Sequence, residues 1–246
     1  MITGLYPDPP DPRDLLLRRV IRSGPIADTM DYRATLRAVR DQGSFGTCAA
    51  FAGSGMKESQ ECGDCGLTDY LSPRYLYHYA KKYDGLGGLE GTTLRAVMEA
   101  LYKHGICLED TWPYLPPGKK PTGADKEAGD FRIETYAKLT TLLDMEKCLT
   151  IQGPFLIGLD VWQGWMEAGE TIPDPPRRYD SLGGHAVLVC GFDSHKKQLL
   201  LRNSWGPCWG EQGYSWISYY HIQRCYISAW SSVDLAGSKL TKGAKK

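Results

Sequence analysis

Three short runs, far apart in this chain, limit what it can fold into more than any other feature. DQGSFGTCAAF begins at Asp41, GGHAVLV surrounds His185, and RNSWGPCWG surrounds Asn203. Cys48, His185 and Asn203 therefore follow one another in chain order, with Gln42 six residues before the cysteine. Asp41 to Thr47 reads as a glycine-punctuated loop and Cys48 as the start of a helix, whereas GHAVLVCGF and QLLLRNSW read as strands. A fold that unites these residues must set a loop-to-helix junction of its first half against strands of its second.

Those residue types suit thiol chemistry. A free thiol ionises near 8.5, and only the thiolate attacks a carbonyl well. A helix N-terminus favours an anion by only about 0.3–1 kcal/mol, so a neighbouring imidazolium is needed, and His185 is the candidate. His185 would serve as general base and then as general acid. The Asn203 side-chain carbonyl would hold the ring in one orientation without neutralising its charge. Trp205 would cover that hydrogen bond. Gln42 and the Cys48 backbone N–H would stabilise an oxyanion, where one donor is typically worth about 2.7–4 kcal/mol of barrier.

Composition narrows the alternatives. The formal net charge is zero, which offers nothing to nucleic acid or an anionic membrane surface. No apolar run approaches the roughly 18 residues of a membrane-spanning helix. The opening MITGLYPDPPDPRDLLLRR lacks the apolar core of a secretory signal. A cytoplasmic location or a non-classical export route stays open.

The chain length suits one large domain or two packed halves. Residues 1 to 30 read as a proline-rich arm with a short helical stretch at 15–21, and residues 235–246 as a basic, disordered tail. Helices are expected from Cys48 to about Glu61, from Ser72 to Lys82, from Thr93 to His104, and near 142–151. Gly53 and Gly55 weaken the first of these and need close neighbours. Tyr79 and Leu76 are expected to face the core, with Tyr75 and Tyr77 on a rim. PTGADKEAG reads as a loop. FRIETYAKL, PFLIGLDVW, GHAVLVCGF, QLLLRNSW and GYSWISYY read as strands, giving a helical half at about 31–120 and a strand-rich half at about 121–234. This is an α+β order.

The runs DQGSFGTCAAF, GGHAVLV and RNSWGPCWGEQGYSWIS resemble those of the papain-like (C1) cysteine peptidases. The arm PDPPDPRDLL and LSPRYLYHYAKKYDG are most similar to the compact prokaryotic xylellain-like branch, which lacks a long inhibitory propeptide. The resemblance covers about residues 30 to 234. It implies a helical half and a β-barrel half with the active-site cleft between them, a catalytic set of Gln42, Cys48, His185 and Asn203, and no cofactor. It also implies that Glu90, Gly91 and Thr92 border the pocket for the second substrate residue, and that the Gly184 carbonyl and Trp205 lie at the substrate. The chain departs from the family at Ala49, where Trp is usual, at Thr92, where a second glycine is usual, and at Phe45, where a half-cystine is usual. Cys225 lacks its usual partner. The missing bridges point to a bacterial-type or reducing-compartment enzyme.

The expected function is hydrolysis of a peptide or protein substrate through a Cys48 thioester. A ligase or maturation enzyme using the same thioester, and a silent cleft-binding homologue, remain the alternatives. The proline-rich arm is expected to regulate the site, so that removing residues 1–25 raises kcat/KM. Cys148 and Cys190 read as buried apolar residues, and Cys208 as inert. Cys62-Gly-Asp-Cys65 with His104-Gly-Ile-Cys107 leaves zinc, a disulfide and free thiols all open, with free thiols favoured.

Overall fold

Cys48 opens the longest helix, α1 (Cys48–Cys65), which ends at Gly66 in the left-handed conformation with its N–H on Cys62 O and Glu61 O. The helix is thus a turn longer than expected. Its two interior glycines have the close neighbours they need. A β-carbon on Gly53 would lie 2.6 Å from Val97 Cγ1 and 2.8 Å from Leu76 Cδ2, and one on Gly55 would lie 2.7 Å from the Arg202 guanidinium. The two glycines let α1 approach the other helices on one side and the sheet on the other.

The computed structural model describes residues 3–21 and 24–233, so the expected tail at 235–246 lies outside the described residues. α2 (Pro73–Ala80) is capped by Ser72, whose hydroxyl accepts from the Tyr75 N–H, with Pro73 in the first turn. α3 (Leu94–Lys103) is capped the same way by Thr93, and Gly105 follows it at φ 76°. PTGADKEAG, expected as loop, contains a short helix α4 (Ala124–Ala128). The Tyr75 and Tyr79 hydroxyls both donate to Asp125 Oδ1 of α4, at 3.0 and 2.6 Å. Because α4 covers that side of α2, Tyr75 is fully buried rather than on the rim. α5 (Leu142–Ile151) lies where expected and carries a capping box between Thr141 and Asp144.

Seven antiparallel strands make up the other half: β1 (Thr29–Asp31), β2 (Thr135–Lys138), β3 (Phe155–Val161), β4 (Gly183–Asp193), β5 (Gln198–Arg202), β6 (Tyr214–Ser218) and β7 (Tyr226–Val233). They run in the order β2-β7-β3-β4-β5-β6, with β1 on β4. The first part of β4 pairs with β3, and its last part pairs with both β5 and β1. GYSWISYY is strand only as far as Ser218, whose hydroxyl caps a helix, α6 (Tyr219–Cys225), by accepting from the His221 N–H. Sequence reading missed β1 and β7. In β7, Ser228, Ala229, Trp230 and Ser231 are all buried, so the strand has two covered faces and no polar alternation.

One apolar cluster centres on α1, α2 and α3, and a second on the sheet face under α5 and α6. The helical stretch expected at 15–21 is a single 3-10 turn, Leu17–Arg19. Leu17 is 0% exposed and belongs to the second cluster. The eight cysteines are all free thiols, Cys148 and Cys190 buried and Cys208 exposed. Among the described residues no three His, Cys, Asp or Glu side chains are grouped to hold a metal ion.

Candidate active site

Cys48 is the first residue of α1, His185 the third of β4, and Asn203 directly follows β5. α1 packs along β4, and the main-chain N–H groups of Ala186, Gly4, Ala49 and Cys48 itself favour charge on the Cys48 sulfur. The sulfur therefore lies beside the residue that follows His185. The imidazole Nε2 is 2.7 Å from Asn203 Oδ1, and the same oxygen accepts from the Ser204 N–H at 2.8 Å. An amide oxygen can only accept, so the hydrogen-bond pattern assigns the ring proton to Nε2 and leaves a lone pair on Nδ1. Nδ1 has no hydrogen-bond partner.

The ring is walled by tryptophan. Trp205 stacks on it, with centroids 4.4 Å apart and planes at 28°. Trp165 meets it edge-on at 6.1 Å. Trp165 in turn donates its indole N–H to His221 Nε2 at 3.4 Å, and its carbonyl accepts from the Trp209 indole at 2.8 Å.

Gln42 is buried between the halves. Its Nε2 donates to Phe45 O at 2.8 Å, and its Oε1 accepts from the Ser204 hydroxyl at 2.6 Å. Its own N–H bonds Ser204 O, and its carbonyl accepts from the Tyr114 hydroxyl at 2.7 Å. The start of the cysteine loop is thereby pinned to the residue after Asn203. Tyr114 also bonds the Thr47 hydroxyl, at 2.8 Å.

The arm enters this site. Leu5 N–H donates to Gly184 O at 3.0 Å, Tyr6 N–H to Thr92 O at 2.9 Å, and Thr92 N–H to Gly4 O at 2.8 Å. Leu5 pairs in parallel with Thr92 and antiparallel with Gly184. Its side chain, 5% exposed, lies where a β-carbon on Gly158 would stand, beside Ile227. Gly91, at φ 97°, passes under Gly4 O and the Tyr6 ring. Glu90 accepts from the Gly46 N–H at 2.7 Å and so ties this strand to the cysteine loop. The structure thus brings Gln42, Cys48, His185, Asn203 and Trp205 together, with Gly91, Thr92 and Gly184 around the inserted segment.

Insertion inverts the electrostatics expected of an open thiol site. Cys48 and His185 are each 0% exposed. Burial pushes the thiol up, against smaller opposing contributions from the surrounding N–H groups. Burial pushes His185 down to about 4, with the Asn203 hydrogen bond working weakly the other way. A neutral thiol beside a neutral imidazole replaces the expected thiolate and imidazolium, because no water reaches either charge.

Sequence reading did not single out Trp165, Tyr114, Ser204 or Leu5. Ser204 lies within the quoted RNSWGPCWG run, and that position was its only signal, since its bond to Gln42 joins segments far apart in the chain. Trp165 and Tyr114 come from segments with no motif around them. Leu5 is one apolar residue in an arm noted for its prolines.

A model of the family described as "Papain family cysteine protease" matches residues 26–234. An uncharacterized peptidase C1-like protein of Acanthamoeba polyphaga mimivirus is 28% identical over 200 residues, covering 74% of this chain and 64% of that protein. Cathepsin L of Sarcophaga peregrina is 27% identical over 224 residues, covering 84% of this chain and 63% of that one. The matches thus span a little under two thirds of these relatives' lengths. Among solved structures, xylellain, a cysteine protease from Xylella fastidiosa, superposes with a TM-score of 0.83 at 26% identity, covering 94% of this chain and 96% of that one. Procathepsin L 3 of Tenebrio molitor shares the fold, with a TM-score of 0.73 at 23% identity over 90% of this chain and 75% of that one. With that family's model matched over residues 26–234, the chain belongs to the papain family of cysteine proteases.

Proposed function

We propose that this chain is a peptidase acting through a Cys48 thioester, and that its own residues 3–6 hold it latent. The observation that carries the reading is the His185 ring: one nitrogen is held by Asn203, and the other is unpartnered at a buried site, with the Cys48 sulfur at the main-chain N–H of the next residue, Ala186. In the open enzyme, water reaches the pair and the thiol proton passes to His185 Nδ1. The thiolate attacks the substrate carbonyl carbon, and the oxyanion takes hydrogen bonds from the Cys48 N–H and the Gln42 amide. Asn203 keeps the imidazolium oriented while its proton goes to the leaving amine. Water, deprotonated by His185, then breaks the thioester and releases the carboxylate, restoring the thiol.

Residues 3–6 fit the role of a plug that is not cut. The Gly4 N–H is directed at the sulfur. The Gly4 carbonyl is turned to the Thr92 N–H. Beyond the plug the arm is anchored to the body of the protein. Asp8 accepts from the Arg95 main chain and from the Trp230 indole, at 2.8 and 2.7 Å. Asp14 pairs with Arg95 at 2.6 Å. Lys138 N–H donates to Leu15 O at 2.7 Å.

Reaction of the reduced protein with an epoxysuccinyl-peptide inhibitor, followed by intact mass and with Cys48→Ala as control, tests the reading. One adduct that is lost in Cys48→Ala supports an activated thiol. No adduct on the full chain or on a plug-displaced variant would leave only a binding role for the cleft.

A further inference from the structure

We infer that Lys81 is a positioning residue, which strengthens the cleft's grip on a bound chain by acting through the peptide group between Gly91 and Thr92. The inference rests on reading the cleft as a peptide-binding site. The Thr92 N–H is the donor that holds the carbonyl of the chain lying there, Gly4 O at 2.8 Å. The oxygen of that same peptide group is Gly91 O, and Lys81 Nζ donates to it at 2.9 Å while also donating to Leu89 O at 2.8 Å. The N–H and C=O of one amide are conjugated. An ammonium on the oxygen draws electron density from the nitrogen and makes its N–H a better donor. A charge-assisted bond is roughly twice as strong as a neutral one, and chained bonds polarise each other.

The ammonium is itself held in place. It pairs with the buried Asp84 at 2.5 Å, whose Oδ1 accepts from the Leu86 N–H at 2.9 Å. From one turn earlier in α2, the Tyr77 hydroxyl accepts from the Gly91 N–H at 3.0 Å. This outside support matters because Gly87, Gly88 and Gly91 all have positive φ, and a segment so rich in glycine has few side chains of its own to fix it. α2 and the lysine that follows it therefore set both the position of the gripping N–H and its strength.

The test uses Lys81→Met and Lys81→Arg in the full chain carrying Gly4→Val, because the plug competes for the same N–H. Each protein is reacted with iodoacetamide, which needs only the Cys48 thiolate, and with an epoxysuccinyl-peptide, which also needs the strand. Lys81→Met is expected to lower the peptide-epoxide rate about tenfold, as the Gly91–Thr92 amide loses both the polarisation of its N–H and the anchor on its oxygen. Its iodoacetamide rate is expected to stay unchanged, and Lys81→Arg to restore the peptide rate to within about threefold of the parent. A parallel fall in both rates, an unchanged peptide rate, or an arginine variant no better than methionine overturns the inference. If the Gly4→Val parent reacts with iodoacetamide but not with the peptide epoxide, the reading of the cleft fails, and the role of Lys81 fails with it.

Discussion

Gly4 and Gly46 meet backbone to backbone: a β-carbon built on Gly4 would fall 2.4 Å from the Gly46 Cα and 2.5 Å from its carbonyl oxygen. Neither side of that contact is a flexible side chain, so the plug has no room for any residue but glycine at position 4. Gly4→Val is expected to expel residues 3–6 while leaving the Asp8 and Asp14 anchors in place. The rate of Cys48 modification by an epoxysuccinyl-peptide should rise at least about tenfold, the factor that corresponds to about 1.4 kcal/mol. An unchanged rate would mean that the plug does not limit access.

Removing residues 1–25, the cut suggested by the proline-rich arm, takes away more than the plug. It strips Leu17, which is fully buried in the sheet core, and the Leu15 carbonyl that pairs with Lys138. By analogy with large-to-small core changes, this deletion is expected to cost about 2–5 kcal/mol. A cut after Pro7 should raise reactivity with little loss. Urea unfolding of the two truncations, with Cys48 labelling of each, separates gating from folding.

Asn203→Ala removes the acceptor that fixes the His185 ring and leaves Cys48 and the cleft walls in place. In the Gly4→Val background, kcat on a peptide amide is expected to fall about 100-fold, within the usual range for general acid–base catalysis, with KM little changed. Equal kcat values would show that Trp205 and Trp165 alone orient the ring.

Closure should weaken in acid. Burial holds His185 at about 4 in the closed site, against about 6.5 for an imidazole in water. In Cys48→Ala, where no thiol proton can pass to the ring, the open form takes up from solvent a proton that the closed form refuses. The stabilisation of closure is therefore complete above about pH 6.5 and is lost as pH falls toward 4. Hydrogen exchange at the Leu5 and Tyr6 amides of Cys48→Ala, corrected for intrinsic rate, should show more opening at pH 5 than at pH 7. A pH dependence of the same size once His185→Gln is added would assign the effect to another group.

Trp165 is the largest fully buried side chain at the site, touching His185, Trp205, Trp209 and His221. Trp165→Ala is expected to cost about 3–5 kcal/mol by the cavity it leaves. Chemical denaturation measures the loss. A cost below about 1 kcal/mol would mean that the neighbouring rings close the gap.

Much of this protein was legible in the chain itself because its signals are local. Ser72-Pro73 and Thr93 start helices and Gly105 stops one through their own backbone preferences. The Cys48, His185 and Asn203 runs name the residues that the fold gathers, and their order already called for a helix N-terminus against strands. Other features depend on contacts between distant segments, which no local pattern records. β7 has no alternation because both of its faces are covered. Tyr75 is buried because α4 lies over it, and Trp165 walls His185 from a loop with no motif. The state of the site was the least legible of all. The residue types predict a thiolate and an imidazolium, but tertiary structure lays Gly4 and Leu5 across them, excludes water and leaves both neutral, because a buried charge without a solvent shell is too costly to keep.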